Sequence, residues 1–126
     1  MDYITPTHQE ILDVLNRVNI QIIVDNHPIC DSKQYDGFVM STKDSRNSSD
    51  RTQFLLCVEA MQQNYTDWIG EVNRTLAHEA LHVAQLCKSK DGLFYPLGFR
   101  NDVEKEAFAV QEQPREVLRI LKKYCL

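Results

Sequence analysis

The sequence has no apolar run near the roughly 18 to 20 residues needed to cross a bilayer. Its longest apolar stretches are Ile20–Val24 and Phe54–Ala60, so no membrane association is expected. The N-terminus, MDYITPTHQE, has neither a basic start nor an apolar core. No secretory signal is visible, and a cytoplasmic location is the expectation. Positive charge is in short supply: 14 Lys+Arg stand against 18 Asp+Glu, a net charge of −4. That balance is mild and of the wrong sign for a dedicated nucleic-acid binder. With four glycines and four prolines in 126 residues, the chain is neither collagen-like nor a low-complexity linker.

Close cysteine pairs are also missing. Cys30, Cys57, Cys87 and Cys125 are spaced by 27, 30 and 38 residues. The absence of any C-x-x-C pair excludes a zinc ribbon, a thioredoxin-type redox pair and a ferredoxin. In a chain without a visible signal peptide, the four are expected to be reduced and mostly buried, acting as small hydrophobes. The N-x-S/T triplets at Asn47, Asn64 and Asn73 carry no meaning under that expectation.

What remains is an ordinary globular composition, 43% apolar and 25% charged. Its length suits one compact domain, residues 1–126, with a real core. The order of elements reads α-β-β-β-α-α. Thr5-Pro6 opens a first helix running to about Asn19, with Ile11, Leu12, Leu15 and Val18 at helical spacing. Strands are expected at Ile20–Val24, Gly37–Met40 and Gln53–Ala60, the last two joined as a hairpin across the polar stretch from Ser41 to Thr52. A second helix runs from about Thr66 or Asp67 to Lys88. A third runs from about Asn101 or Asp102 to Tyr124, kinked or split by Pro114 near Gln113.

The second helix carries the chemistry. Ile69, Val72, Leu76, Ala80, Val83 and Cys87 form one apolar stripe. At 100° per residue, His78, His82 and Gln85 fall on nearly the opposite side. The segment His78-Glu-Ala-Leu-His82 is an H-E-x-x-H sequence. Histidines four apart on a helix point the same way, one turn apart, so both can reach one zinc ion. Glu79 is displaced around the helix, away from direct ligation but within reach of a water that zinc acidifies. A carboxylate there can take that water's proton and return it to a leaving amine, which is peptide-bond hydrolysis chemistry. The competing reading is two ordinary helix histidines in a metal-free interaction protein.

A catalytic zinc needs a third protein ligand and an open position. Glu104 and Glu106, at the start of the third helix, are the suppliers; Glu104 follows His82 by 22 residues. Helical geometry favours Glu106, which lies closer to the core direction of the Val103, Ala107, Val110 stripe. Both could instead be a solvated first turn complementing the helix dipole. His8 and His27 are poorer candidates, one on the first helix and one in a turn. Lys88 stands six residues after His82, where a metzincin would carry histidine.

His78-Glu-Ala-Leu-His82 followed by Glu104-Lys-Glu-Ala107 resembles the gluzincin metallopeptidases, and at this size the single-domain minigluzincins. The resemblance extends to the order of helix, strands, H-E-x-x-H helix and glutamate helix. It implies a zincin-like α+β domain with a small three-stranded mixed sheet. It further implies one zinc held by His78, His82 and a glutamate, with Glu79 as general base. Aligning Ala107 with the alanine of the family's E-x-x-A-D pattern selects Glu104 as third ligand. The sequence departs from that pattern at Phe108, where the family places an acidic partner for a zinc histidine. That outer contact must come from elsewhere.

The resulting expectation is a zinc-dependent peptidase acting on a peptide or protein, with a protein partner completing a cleft that so small a domain does not wall by itself. The alternative is a zincin-fold binding or regulatory protein with a structural zinc and little turnover. Tyr95 or Arg100 would be candidates to stabilise an oxyanion, against ordinary packing or surface charge. Trp68 reads as core. Phe54–Ala60 would be either the sheet edge beside the cleft or a central strand.

Overall fold

The computed structural model describes residues 2–41, 52–88 and 101–126. Its elements are α1 (Pro6–Arg17), β1 (Gln21–Val24), α2 (Pro28–Asp31), β2 (Gly37–Ser41), β3 (Thr52–Leu56), α3 (Val58–Asn64), α4 (Trp68–Lys88), α5 (Asn101–Val110) and α6 (Pro114–Cys125). The architecture is mixed α+β around a three-stranded mixed sheet of order β1-β3-β2. β1 runs parallel to β3, with Ile22 opposite Phe54; β2 runs antiparallel, with Val39 opposite Phe54. Among the described residues no helix is long and apolar enough to cross a membrane.

Local chemistry explains the boundaries. Thr5 caps α1 by accepting from the His8 backbone N–H, and Pro6 opens the helix where no donor is needed. Asp67 does the same for α4, its Oδ1 accepting from Gly70 N at 3.2 Å. Pro114 does not merely kink a third helix. It ends the run and begins α6, because its ring and missing N–H are tolerated only in a first turn.

β3 is central, so the Gln53–Ala60 stretch is not the sheet edge, and it is shorter than its apolar run implies. Phe54, Leu55 and Leu56 are fully buried, as expected of a strand flanked and covered on both sides. From Val58 the chain becomes helical, since Val58 and Met61 bury one face of α3 while Asp25 Oδ1 accepts from Glu59 N at 3.0 Å in its first turn. The edge strand on the other side of β3 is β2.

α4 organises the rest. Val72, Leu76, Ala80 and Val83 of its stripe are buried, while Ile69 at its start is 47% exposed. The helix packs on α6, α5, α3, α1 and two strands. The fully buried Leu76 and Leu81 each contribute about 1.5–3 kcal/mol by leaving water. Asn73, also buried, ties the N-terminal segment down: its Nδ2 donates to Tyr3 O at 2.8 Å and its Oδ1 accepts from Thr5 N at 3.2 Å. Trp68 is half-buried against the core, edge-on to Tyr3 at 5.5 Å.

The cysteines overturn an expectation. They are not reduced: Cys30 pairs with Cys57 and Cys87 with Cys125, each with a Cα–Cα separation of 5.2 Å. Linear spacing hid this because topology makes the neighbours, placing α2 against the end of β3 and the end of α6 against the last turn of α4. Such bonds persist in oxidising compartments, so the cysteines do not support a cytoplasmic location. Closing loops of 27 and 38 residues stabilises the fold by about 3–4 kcal/mol each in the chain-entropy account. Cys87→Ser is therefore expected to lower the melting temperature by on the order of 10 °C, measured by calorimetry without reductant. An unchanged melting temperature would show that the bond contributes nothing.

Candidate metal centre

His78 and His82 stand one turn apart on the face of α4 opposite its apolar stripe, with ring centroids 4.9 Å apart. α5 crosses this face and brings Glu104 to both. Glu104 Oε1 lies 2.6 Å from His82 Nε2 and 3.3 Å from His78 Nε2. One ligand atom from each of the three residues falls within 4.8 Å of the others, so the group can hold a metal ion. Of the two glutamates weighed from sequence, Glu106 faces elsewhere and accepts from Gln85 Nε2 at 2.9 Å. Both glutamates meet α4, Glu104 through the two imidazoles and Glu106 through the Gln85 amide, while Val103 and Ala107 seat α5 on the core.

Two glutamines, not an acidic residue at position 108, hold the histidines' outer nitrogens. Gln85 Oε1 lies 2.7 Å from His82 Nδ1, and Gln111 Oε1 lies 3.0 Å from His78 Nδ1. The orientation of the Gln85 amide is fixed, since its Nε2 donates to Val103 O and to Glu106 Oε1, both at 2.9 Å. Its Oε1 must then accept, so His82 Nδ1 carries the hydrogen. Burial holds the His82 imidazole below its ordinary pKa and so favours the neutral ring, with the Gln85 hydrogen bond and the Glu104 carboxylate opposing. In that tautomer the lone pair of Nε2 faces a carboxylate oxygen at 2.6 Å, two acceptors that only a cation or a shared proton can reconcile.

Gln85 had a sequence signal, since it shares the histidine face three residues after His82. Gln111 had none, because its approach depends on how α5 crosses α4. Outer contacts of this kind govern ligand orientation. Gln111→Ala and Gln85→Ala are each expected to weaken metal binding by about 10- to 100-fold, read by competition with a chromogenic chelator. Wild-type affinity in both variants would remove the glutamines from the account.

Glu79 is 8% exposed, and its Oε2 is the one buried side-chain oxygen or nitrogen among the described residues without a hydrogen-bond partner. Burial pushes its carboxyl up to about 8, with the Glu104 and Asp36 carboxylates adding to the rise. Gly37 on β2 leaves it room: a Cβ there would stand 2.7 Å from Thr75 Cγ2, 2.9 Å from Leu55 O and 3.2 Å from Glu79 Cγ. These residues line a cleft of about 610 Å³ shared by Gly37, His78, Glu79, Glu104, Phe108 and Gln111. None of the described residues lining it comes from α1. Phe108, 60% exposed, sets its ring edge against His78 at 4.7 Å.

The other histidines have structural partners: His8 meets the Thr5 hydroxyl, and His27 Nδ1 accepts from Ile29 N at 3.1 Å at the start of α2. Tyr95 and Arg100 lie outside the described residues.

Fold and site together define an α+β protein with a two-histidine, one-glutamate candidate metal centre beside a buried carboxyl group. The chain belongs to the family described as a domain of unknown function, DUF8637, whose match covers residues 1–98 and thus includes the histidine pair but not α5. No curated protein and no solved structure matches the chain.

Proposed function

We propose that the protein is a zinc metallopeptidase with a zincin-like fold, of the gluzincin type. The observation that carries this reading is the convergence of His78 Nε2, His82 Nε2 and Glu104 Oε1 beside the unpartnered, buried Oε2 of Glu79. Two neutral imidazoles and one carboxylate are a donor set suited to zinc with a position left open. Zinc bound there supplies a Lewis acid that brings the pKa of a water toward about 7 and polarises a carbonyl.

The chain's own residues do the remaining work. Gln85 holds His82 in the tautomer that directs its Nε2 lone pair inward, and Gln111 meets His78 at Nδ1, leaving its Nε2 toward Glu104. Glu79, whose pKa burial raises, would be held in its ionised form if a dication were bound beside it. The Glu79 carboxylate then accepts the proton of the attacking water and passes it to the leaving amine as the C–N bond breaks. Among the described residues the strand paired with β2 is β3, and Gly37 and Phe38 of β2 line the cleft. The other edge of β2 offers backbone groups with which an extended peptide can pair. That role falls to β2 rather than to the segment beginning at Phe54.

The second reading, a binding or regulatory protein with a structural zinc, draws support from Phe108, an exposed aromatic set against His78 where an acidic partner was expected. A peptide library incubated with zinc-loaded protein, with new termini read by mass spectrometry, separates the two. Cleavage that stops with chelator and returns with zinc supports the peptidase. Intact peptides in every arm leave the binding protein.

A further inference from the structure

The charge and surface of the cleft carry a statement about what enters it. Four of its described lining residues are carboxylates, Asp36, Glu71, Glu79 and Glu104, against one permanent cation, Arg74. Glu79 and Glu104 belong to the metal centre. Asp36 and Glu71 do not, and Tyr65 stands with them: its Oη donates to Asp36 Oδ2 at 2.8 Å, and the charges of Asp36, Glu71 and Arg74 all bear on its phenol. Arg74 is no anchor for an anion, because its guanidinium already donates to Glu71 and to Glu112. Glu71 is thereby paired, which leaves Asp36 as the lining carboxylate outside the metal centre without a cation beside it among the described residues.

The cleft is also aromatic. Five large hydrophobic residues are exposed among those described, and three of them, Tyr35, Tyr65 and Phe108, line this cleft. Phe38 adds a fourth ring, edge-on to Tyr35 at 6.1 Å. Aromatic faces beside an uncompensated carboxylate attract an ammonium or guanidinium by cation–π and charge interactions together. An acidic side chain would meet repulsion there.

We propose that the cleft selects peptides bearing a cationic nitrogen, foremost a lysine or arginine side chain, received by Asp36 against the Tyr35, Phe38 and Tyr65 rings. The inference rests on the peptidase reading in taking the cleft as the substrate site. A free α-amino group offers the same chemistry, so the two sources must be told apart.

The test uses labelled peptides identical except for one position occupied by Lys, Arg, Gln or Glu, each with a free or acetylated N-terminus. Binding to zinc-loaded Glu79→Gln protein is read by fluorescence anisotropy, and cleavage by zinc-loaded wild type by mass spectrometry. Lys and Arg peptides are expected to bind about tenfold tighter than Gln, with Glu weakest, and to lose the preference in raised salt. Asp36→Asn, which keeps an acceptor for Tyr65, is expected to remove most of that preference while leaving zinc bound.

Preference that survives acetylation assigns the site to a side chain. Preference lost on acetylation replaces the side chain by the α-amino group and overturns the lysine and arginine assignment. Selective binding without cleavage sustains the cleft inference and sinks the peptidase reading. Cleavage or binding indifferent to charge, or favouring Glu, overturns the inference and leaves the peptidase reading standing. Absence of both binding and cleavage overturns the two together.

Discussion

Glu79→Gln is expected to keep its zinc and to lose peptide cleavage by about 100- to 10,000-fold. Glutamine has nearly the shape of glutamate, so the packing against Gly37 and Thr75 survives. What it lacks is a carboxylate able to accept a proton. The group sits beside the His78, His82 and Glu104 cluster without belonging to it, so the metal should remain. Its burial and unpartnered Oε2 would be a cost to stability of about 1–3 kcal/mol without a compensating role. Parallel measurement of turnover and zinc content checks this. A variant that retains both full turnover and metal removes Glu79 from the chemistry. One that also loses zinc makes Glu79 a part of the metal site rather than the base. For a binding protein, the same substitution would leave affinity for its partner unchanged.

The second large effect concerns stability. At free zinc about one hundred times the dissociation constant, binding stabilises the folded state by about 2.7 kcal/mol. For a chain of 126 residues that corresponds to a rise in melting temperature of on the order of 10 °C. The rise should vanish in His82→Ala and Glu104→Ala and persist in Glu106→Ala. The contrast between the two glutamates is the informative part. They lie two residues apart on α5, yet Glu104 meets both imidazoles and Glu106 meets the Gln85 amide. Equal loss in both variants would mean that α5 supports the site as a whole rather than through one ligand atom. A rise retained in Glu104→Ala would contradict its place among the ligands.

The course of the chain and the face of α4 were legible in the sequence because each rests on local signals. Thr5 and Pro6 marked α1, the 3-4-4-3-4 spacing of the stripe marked α4, and the i, i+4 histidines were on its free face. The strands were readable as β-branched and apolar runs, but the extent of β3 was not. Nothing in Phe54–Ala60 says where an apolar run stops pairing and begins to coil, since a run apolar at successive positions shows neither the strand nor the helix period. The preference for Glu104 over Glu106 came only from a resemblance, because helical phase within α5 is silent on how α5 approaches α4. The disulfides and the Gln111 contact were invisible for a related reason. Each joins segments that only the tertiary fold brings together.

Phe108 illustrates how a departure from a pattern can be resolved elsewhere. An acidic partner at that position would have fixed one histidine ring. Here Gln85 and Gln111 supply neutral acceptors instead, one from α4 itself and one from just beyond the end of α5. A neutral acceptor raises ligand basicity less than a carboxylate does, so a metal bound at this candidate site would meet less negative charge than an acidic partner would give it.

The account turns on one ion. Native mass spectrometry of untagged protein purified without chelator should find one zinc per chain, with none in His78→Ala of unchanged fold. Wild-type protein that carries no metal, takes up none when zinc is added and melts at the same temperature either way would contradict the metal centre, and with it the peptidase.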